Sequence, residues 1–226
     1  MSTEVWFLDK MDFYKILCPR KYGDHLKTHP LDTYRRMDFL FLQDDNAREI
    51  FLVDQGKVKI GYYDEAGNEY VKAILGRGEI FGEMAFLGEN RHRDFAEVIE
   101  DNTQICKMTV EKARDLARDY VPFGLELHKR IGQRIRKLER RIEILLFKDA
   151  KLRLMEFLHD LAEDAGRPKD EGVIIDHSLT QTDIASLIGT SRKTVSLLLN
   201  ELEDEGQIQF SRRHIFIPNL NALASV

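Results

Sequence analysis

The segment Leu179–Pro218, LTQTDIASLIGTSRKTVSLLLNELEDEGQIQFSRRHIFIP, constrains the fold more than any other part of the chain. It reads as two short helices joined by a tight turn and followed by a two-stranded wing. Thr180 with Asp183 fits a capping box, in which a hydroxyl and a carboxylate reciprocally satisfy free backbone N–H groups. Ile184, Ala185, Leu187 and Ile188 supply one apolar face, and Gly189 ends the helix as a residue that tolerates positive φ. Ser191 caps the next helix, whose Val195, Leu198, Leu199 and Leu202 recur at three- and four-residue spacing. Gly206 stops it. Arg192, Lys193, Thr194 and Ser196 are left facing outward in its first turns, the end that a helix-turn-helix presents to base edges.

The rest of the chain supplies a context. Residues up to about 110 read as short strands separated by turns, as in REIFLVDQGKVKIGYYDEAGNEYVKAIL and GEIFGEMAF, with breaks at Gly56, Gly67, Gly76, Gly78 and Gly82. Asp64–Asn68 fits a hairpin turn. Many short strands at regular spacing predict a β-sandwich or a jelly-roll barrel. Phe7, Leu8, Met11, Phe13 and Tyr14 are expected to pack irregularly or helically against it. From Gly124 to Phe147 the period changes: Ile131, Ile135, Leu138, Ile142 and Leu145 alternate four and three apart, a narrow seam of the kind buried against a partner helix. This predicts a homodimer. Lys129, Arg130, Arg134, Arg136, Lys137, Arg140 and Arg141 are expected to form a solvated, salt-bridged face behind it. Asp149 is placed to cap a further helix through Leu161, AGRPKDEG reads as a loop, and GVIIDHSL as a strand.

The expected class is therefore α+β: an N-terminal jelly-roll β-barrel over 1–123, a dimerisation helix over 124–147 and a winged helix-turn-helix over 148–226, with a hinge near Phe147–Ala150. Within 226 residues no run reaches the ~20 apolar residues of a membrane span. The start MSTEVWFLDKMDF lacks the pattern of a secretory signal. Cys18 and Cys106 cannot make a zinc or iron–sulfur site alone, so the expected setting is the reduced cytoplasm, without a metal. The net charge of −5 is unusual for a nucleic-acid binder. The acids cluster away from the proposed face, however, in Glu163, Asp164, Asp170, Glu171 and the run Glu201, Glu203, Asp204, Glu205. Local charge near phosphates outweighs the total, because charges beyond a Debye length of ~8 Å are largely screened.

Taken in order, strand-rich domain, long helix and winged helix-turn-helix resemble the Crp/Fnr family of bacterial transcription regulators. The likeness runs from about Arg35 to Pro218 and is strongest in SRKTVSLLLNELEDEG and GEIFGEMAFLGENRHRDFAEV. The resemblance implies a DNA-binding homodimer whose barrel answers to a small effector, with RNA polymerase as a further partner. In cyclic-AMP-binding members the segment matching Gly82–Asp94 cradles the cyclic phosphate. Gly82, Glu83 and Arg93 match that pattern, but Asp94 replaces a serine, and a carboxylate there repels a phosphodiester. The Thr-Ser pair that meets adenine aligns with Leu138 and Glu139. Cyclic AMP is therefore not expected as the effector. Arg93 and Asp94 are left to pair with each other or with neighbouring charges. Haem-binding branches need axial ligands, for which Cys18-Pro19, His25, His29 and His92 are isolated candidates, and no haem is expected.

The recognition helix departs as well. Family members reading TGTGA-like half-sites carry Arg, Glu and a second Arg, where this chain has Arg192, Lys193 and Leu197. Arg192 suits a guanine O6/N7 pair, Lys193 cannot accept from cytosine N4, and Leu197 either touches a thymine methyl group or packs. The resemblance implies phosphate contacts from Thr180, Gln181 and Thr182, and the wing's Arg212 and Arg213 suit the same role. With Ser191, Arg192, Lys193, Thr194, Ser196 and Leu197, these form the expected DNA-binding set. The competing classes are a cupin-like metal enzyme with a DNA module, and a regulator needing no effector. Cupin chemistry requires a His-x-His pair that the chain lacks, and no nucleophile elbow or phosphate loop is present, so no catalytic residue is expected.

Overall fold

The computed structural model describes residues 31–119, 121–169 and 171–224. The expectations for Phe7–Tyr14, Cys18, His25, His29 and Asp170 fall outside them.

Among the described residues eight strands come first: β1 Leu31–Tyr34, β2 Phe39–Phe41, β3 Glu49–Gln55, β4 Val58–Tyr63, β5 Glu69–Leu75, β6 Ile80–Phe81, β7 Phe95–Val98 and β8 Thr103–Thr109. They form two four-stranded sheets, ordered β1-β8-β3-β6 and β2-β7-β4-β5, rather than one closed ring of strands. The jelly-roll expectation is thus met as a two-sheet domain. The Asp64–Asn68 turn is present: Asp64 N–H donates to the Asn68 carbonyl at 3.0 Å, and the Asp64 side chain accepts from the Ala66 and Asn68 amides.

The continuous apolar run Ile50–Val53 is explained by burial on both faces of β3. Phe51 and Val53 point into a core with Phe41, Val58, Ile60, Leu75, Phe81, Ala96 and Ile105. Ile50 and Leu52 point the other way, toward Cys106, Met108, Val110, Ala113 and Phe123. That second layer is covered by α1 Val110–Asp119 and the start of α2 Val121–Phe147. A strand buried on both sides loses the polar alternation of a half-exposed one.

α2 begins at Val121, three residues before the expected start. It is followed by α3 Ala150–Ala165, β9 Gly166–Lys169, β10 Gly172–Asp176, α4 Gln181–Ile188, α5 Arg192–Asp204, β11 Gln209–Phe210, β12 His214–Ile217 and α6 Leu220–Ala224. Asp149 caps α3, its Oδ1 accepting from the Leu152 amide at 2.9 Å. The segment read as a loop is in part a strand: β9 pairs antiparallel with β10, Gly166 opposite Ile175. Its Pro168 lacks an N–H, a loss tolerated on the edge strand of the sheet. The expected two-stranded wing is the antiparallel pair β11–β12, and β10 and β9 extend it into a four-stranded sheet in the order β11-β12-β10-β9.

The chain divides into two compact units, the first ending at Arg134 and the second starting at Ile135, with Tyr70–Lys72 grouped with the second. In the second unit Leu154, Leu158, Ile175, Ile184, Leu199, Leu202, Ile208, Ile215 and Ile217 are fully buried. Among the described residues no helix is long and apolar enough to cross a membrane.

Candidate nucleic-acid interface

The helix-turn-helix is built by local chemistry. The Thr180 amide donates to Asp183 Oδ2 at 2.7 Å, while the Asp183 amide donates to Thr180 Oγ1 at 3.1 Å, closing the capping box. Asp183 is buried, so these bonds also meet the hydrogen-bonding demand of a desolvated carboxylate. Gly189 lies at φ +67°, and a Cβ there would stand 2.8 Å from Leu145 Cδ2, so both the turn and the close approach of α2 favour glycine. Ser191 Oγ accepts from the Thr194 amide at 3.1 Å and starts α5.

These caps orient α5. Val195, Leu199 and Leu202 are buried, whereas Arg192, Lys193 and Leu197 are exposed and Ser196 is half-buried. Among the described residues neither Arg192 nor Lys193 has an ion-pair partner. Leu197 is 61% exposed, so it is not packed into the core that the described residues form. Asn200, exposed on the same face, was missed by sequence reasoning; its four-residue spacing from Ser196 is the signal that could have found it.

Other expected contacts divide by what holds them. The Thr180 hydroxyl donates to Asp183 Oδ2 at 2.8 Å, and the Ser191 and Thr194 hydroxyls lie 2.9 Å apart, so these three are occupied in capping. Gln181 and Thr182 open α4, where unpaired helix N–H groups favour an anion. Arg212 and Arg213 are exposed at the β11–β12 turn, closed by the Ser211 amide donating to the His214 carbonyl at 2.8 Å. The acidic run sits at the far end of α5, roughly 14–20 Å from Arg192 at about 1.5 Å per residue. There Glu201 and Glu205 each hold Lys151 of α3 at 2.7 Å.

The seam on α2 lies open in the single chain: Ile135, Leu138 and Ile142 are 51%, 52% and 56% exposed. Carried back through His128 and Gly124, the same spacing reaches Val121, also exposed. Ile131 is half-buried, and Leu145 adjoins Gly189. The basic face is salt-bridged as expected at Arg140 and Arg134, and departs from the expectation at Arg141, which is tied to backbone rather than solvated. Arg140 donates to Glu156 at 2.9 Å and Asp160 at 3.1 Å. Arg141 donates to backbone carbonyls of α4, and burial pushes its guanidinium below the usual arginine range. The ligand atoms of His159, Asp160 and Glu163 cluster on α3, but the Arg140 contact already engages Asp160.

In the first unit Gly82, at φ +74°, starts a short 3-10 turn over Glu83–Ala85. Glu83 Oε1 lies 3.0 Å from Arg134 Nη1, and Arg93 Nη2 lies 3.1 Å from Glu89 Oε1. Leu138 and Glu139 are exposed on α2. His92 is buried and stacks on Phe41, with ring centroids 3.6 Å apart, and burial lowers its pKa. It lines a cavity of about 450 Å³ with Asp45, Arg48, Glu49 and Thr109, which includes neither Glu83 nor Arg93.

Comparison with known proteins agrees with this layout. Residues 31–120 match the cyclic nucleotide-binding domain family, and residues 152–226 match the Crp-like helix-turn-helix domain family. The chain is 30% identical to the cyclic AMP receptor protein of Thermus thermophilus over 75% of each chain. It is 28% identical to the global nitrogen regulator of Synechocystis sp. over 91% of this chain and 92% of the relative. Among solved structures, a mutant of CooA from Carboxydothermus hydrogenoformans superposes with a TM-score of 0.75 at 28% identity, covering 95% of both chains. These matches lend no support to a cupin-like enzyme.

Proposed function

We propose that this chain, which belongs to the Crp/Fnr family of DNA-binding transcription regulators, acts as a homodimer that reads a pseudo-palindromic operator with α5 of each protomer in the major groove. The observation that carries this reading is the pair of capped helices joined at Gly189, which leaves Arg192 and Lys193 exposed at the start of α5 with no ion-pair partner among the described residues. The open Ile135–Leu138–Ile142 seam supports dimerisation, since a stripe of that width suits a partner helix. The reading gives the chain a binding role in the cytoplasm and no catalytic step, with double-stranded DNA and RNA polymerase as its macromolecular partners.

Arg192, Lys193 and Leu197 differ from the Arg-Glu-Arg of TGTGA readers, so the operator is its own. The test is selection of duplexes from a random pool by the full chain. The expected product is an inverted repeat with half-site centres ~34 Å apart. Recovery of a single unrepeated site, or of no sequence preference, would contradict the reading.

Neither haem nor cyclic AMP enters the reading as an effector. Glu83 is already neutralised by Arg134, Arg93 by Glu89, and Asp94 brings a carboxylate where a phosphate would sit. The Arg134–Glu83 pair also favours a second reading, in which the dimer is competent for DNA without any effector. Calorimetric titration with cyclic AMP should give no saturable heat. A saturable isotherm abolished by Arg93→Ala would overturn this assignment.

A further inference from the structure

α5 carries an apolar side chain where its neighbours carry hydrogen-bonding groups. Val195, Leu199 and Leu202 form its buried stripe, at 0%, 2% and 0% exposure, while Leu197 is 61% exposed. At about 100° per residue, Leu197 stands roughly 170° from the middle of that stripe and shares a face with the exposed Lys193 and Asn200, four positions before it and three after. A single exposed leucine is ordinary on a protein surface. On a face whose other members are donors and acceptors it nevertheless sets a definite chemistry, because it cannot meet any polar base edge and would strip water from one without replacing the lost bond.

Only one base presents an apolar group in the major groove, the C5-methyl of thymine. We infer that Leu197 is a specificity-determining residue that reads a thymine methyl group in each half-site; the inference rests on the reading that α5 enters the major groove. Leu197 lies five positions after Arg192, about 7.5 Å along the helix, so the thymine falls within about two or three base pairs of the base that Arg192 meets. Cytosine at that position would set its N4 donor against Leu197, and a purine would lose the hydration of its N7 acceptor. Uracil keeps every polar group of thymine and lacks only the methyl.

The test uses the duplex selected by the full chain, with each thymine of the half-site replaced in turn by uracil. One position should bind about fourfold more weakly as uracil, the weight of one buried methyl group. Leu197→Ala should bind the thymine and uracil duplexes equally, while its thermal midpoint stays at that of the parent because the side chain is exposed. With cytosine at this position, 5-methylcytosine should recover part of the lost affinity in the parent chain and none in the variant. Equal binding of every uracil duplex by the parent chain overturns the inference and leaves the DNA-reading role standing. Failure to select any preferred duplex overturns both.

Discussion

Arg141 Nη2 stands 2.8 Å from the carbonyl oxygen of Leu187 and 3.3 Å from that of Ser186. A cation late in α2 thereby meets two carbonyls at the C-terminal end of α4, groups that a helix end leaves without intrahelical partners. The guanidinium stays charged despite its burial, so those carbonyls compensate a desolvated cation. Together with Leu145 beside Gly189, this contact ties the proposed dimer helix to the turn that aims α5.

Arg141→Met should therefore destabilise the chain by about 2 kcal/mol, the range of a hydrogen bond to a charged group. Arg141→Lys should recover only part of the loss, because an ammonium lacks the planar fork that reaches two acceptors. Urea unfolding of the full chain measures both. An unchanged midpoint in the methionine variant would show that the contact contributes nothing.

Leu138→Glu should convert the protein to a monomer at micromolar concentration and weaken operator binding, because it sets a charge in the middle of an apolar seam. Sedimentation velocity reads the mass directly. A dimer that survives this substitution together with Ile135→Glu would place the interface elsewhere.

The capping box links Thr180 and Asp183 as a unit. Thr180→Ala and Asp183→Ala should each cost ~1 kcal/mol, and the double variant less than the sum, since either change alone breaks the reciprocal pair. Thermal denaturation of the four proteins supplies the cycle. Strict additivity would mean that the two bonds act independently.

His92 gives a pH dependence of defined sign. Burial against Phe41 is the main cause of its lowered pKa, opposed by the Asp45, Asp94 and Glu89 carboxylates. Below the ordinary histidine value of about 6.5 the unfolded chain takes up a proton that the folded chain refuses, so stability falls as pH drops from there toward the lowered value. His92→Phe retains a stacked ring and should show a smaller loss between pH 7.5 and pH 5.5 in urea unfolding. A loss as large as that of the parent would contradict this origin.

Much of the candidate interface was legible because it is local chemistry. Thr180, Asp183, Gly189 and Ser191 each act within a few residues of themselves, and their spacing carries the geometry. The seam on α2 was legible as a period. What stayed hidden depends on distant partners: Arg134 and Arg141 read as members of a solvated, salt-bridged face whose partners are unnamed, because Glu83 and the α4 carbonyls are brought to them only by the fold. β9 read as a loop because Gly166 and Pro168 are breakers by themselves, and only pairing with β10 makes the segment a strand. Leu197 was ambiguous for a related reason, since its spacing does not tell whether another element covers it.

The central claim is that α5 reads bases, and the most direct measurement is competition binding by the parent chain and Arg192→Ala on the selected operator and on random duplex at fixed salt. Loss of a bidentate guanine contact should weaken operator binding by ~1–3 kcal/mol, relax the preference at one base pair and leave random-duplex affinity nearly unchanged. An equal loss on both duplexes would reduce Arg192 to a phosphate contact and contradict the account.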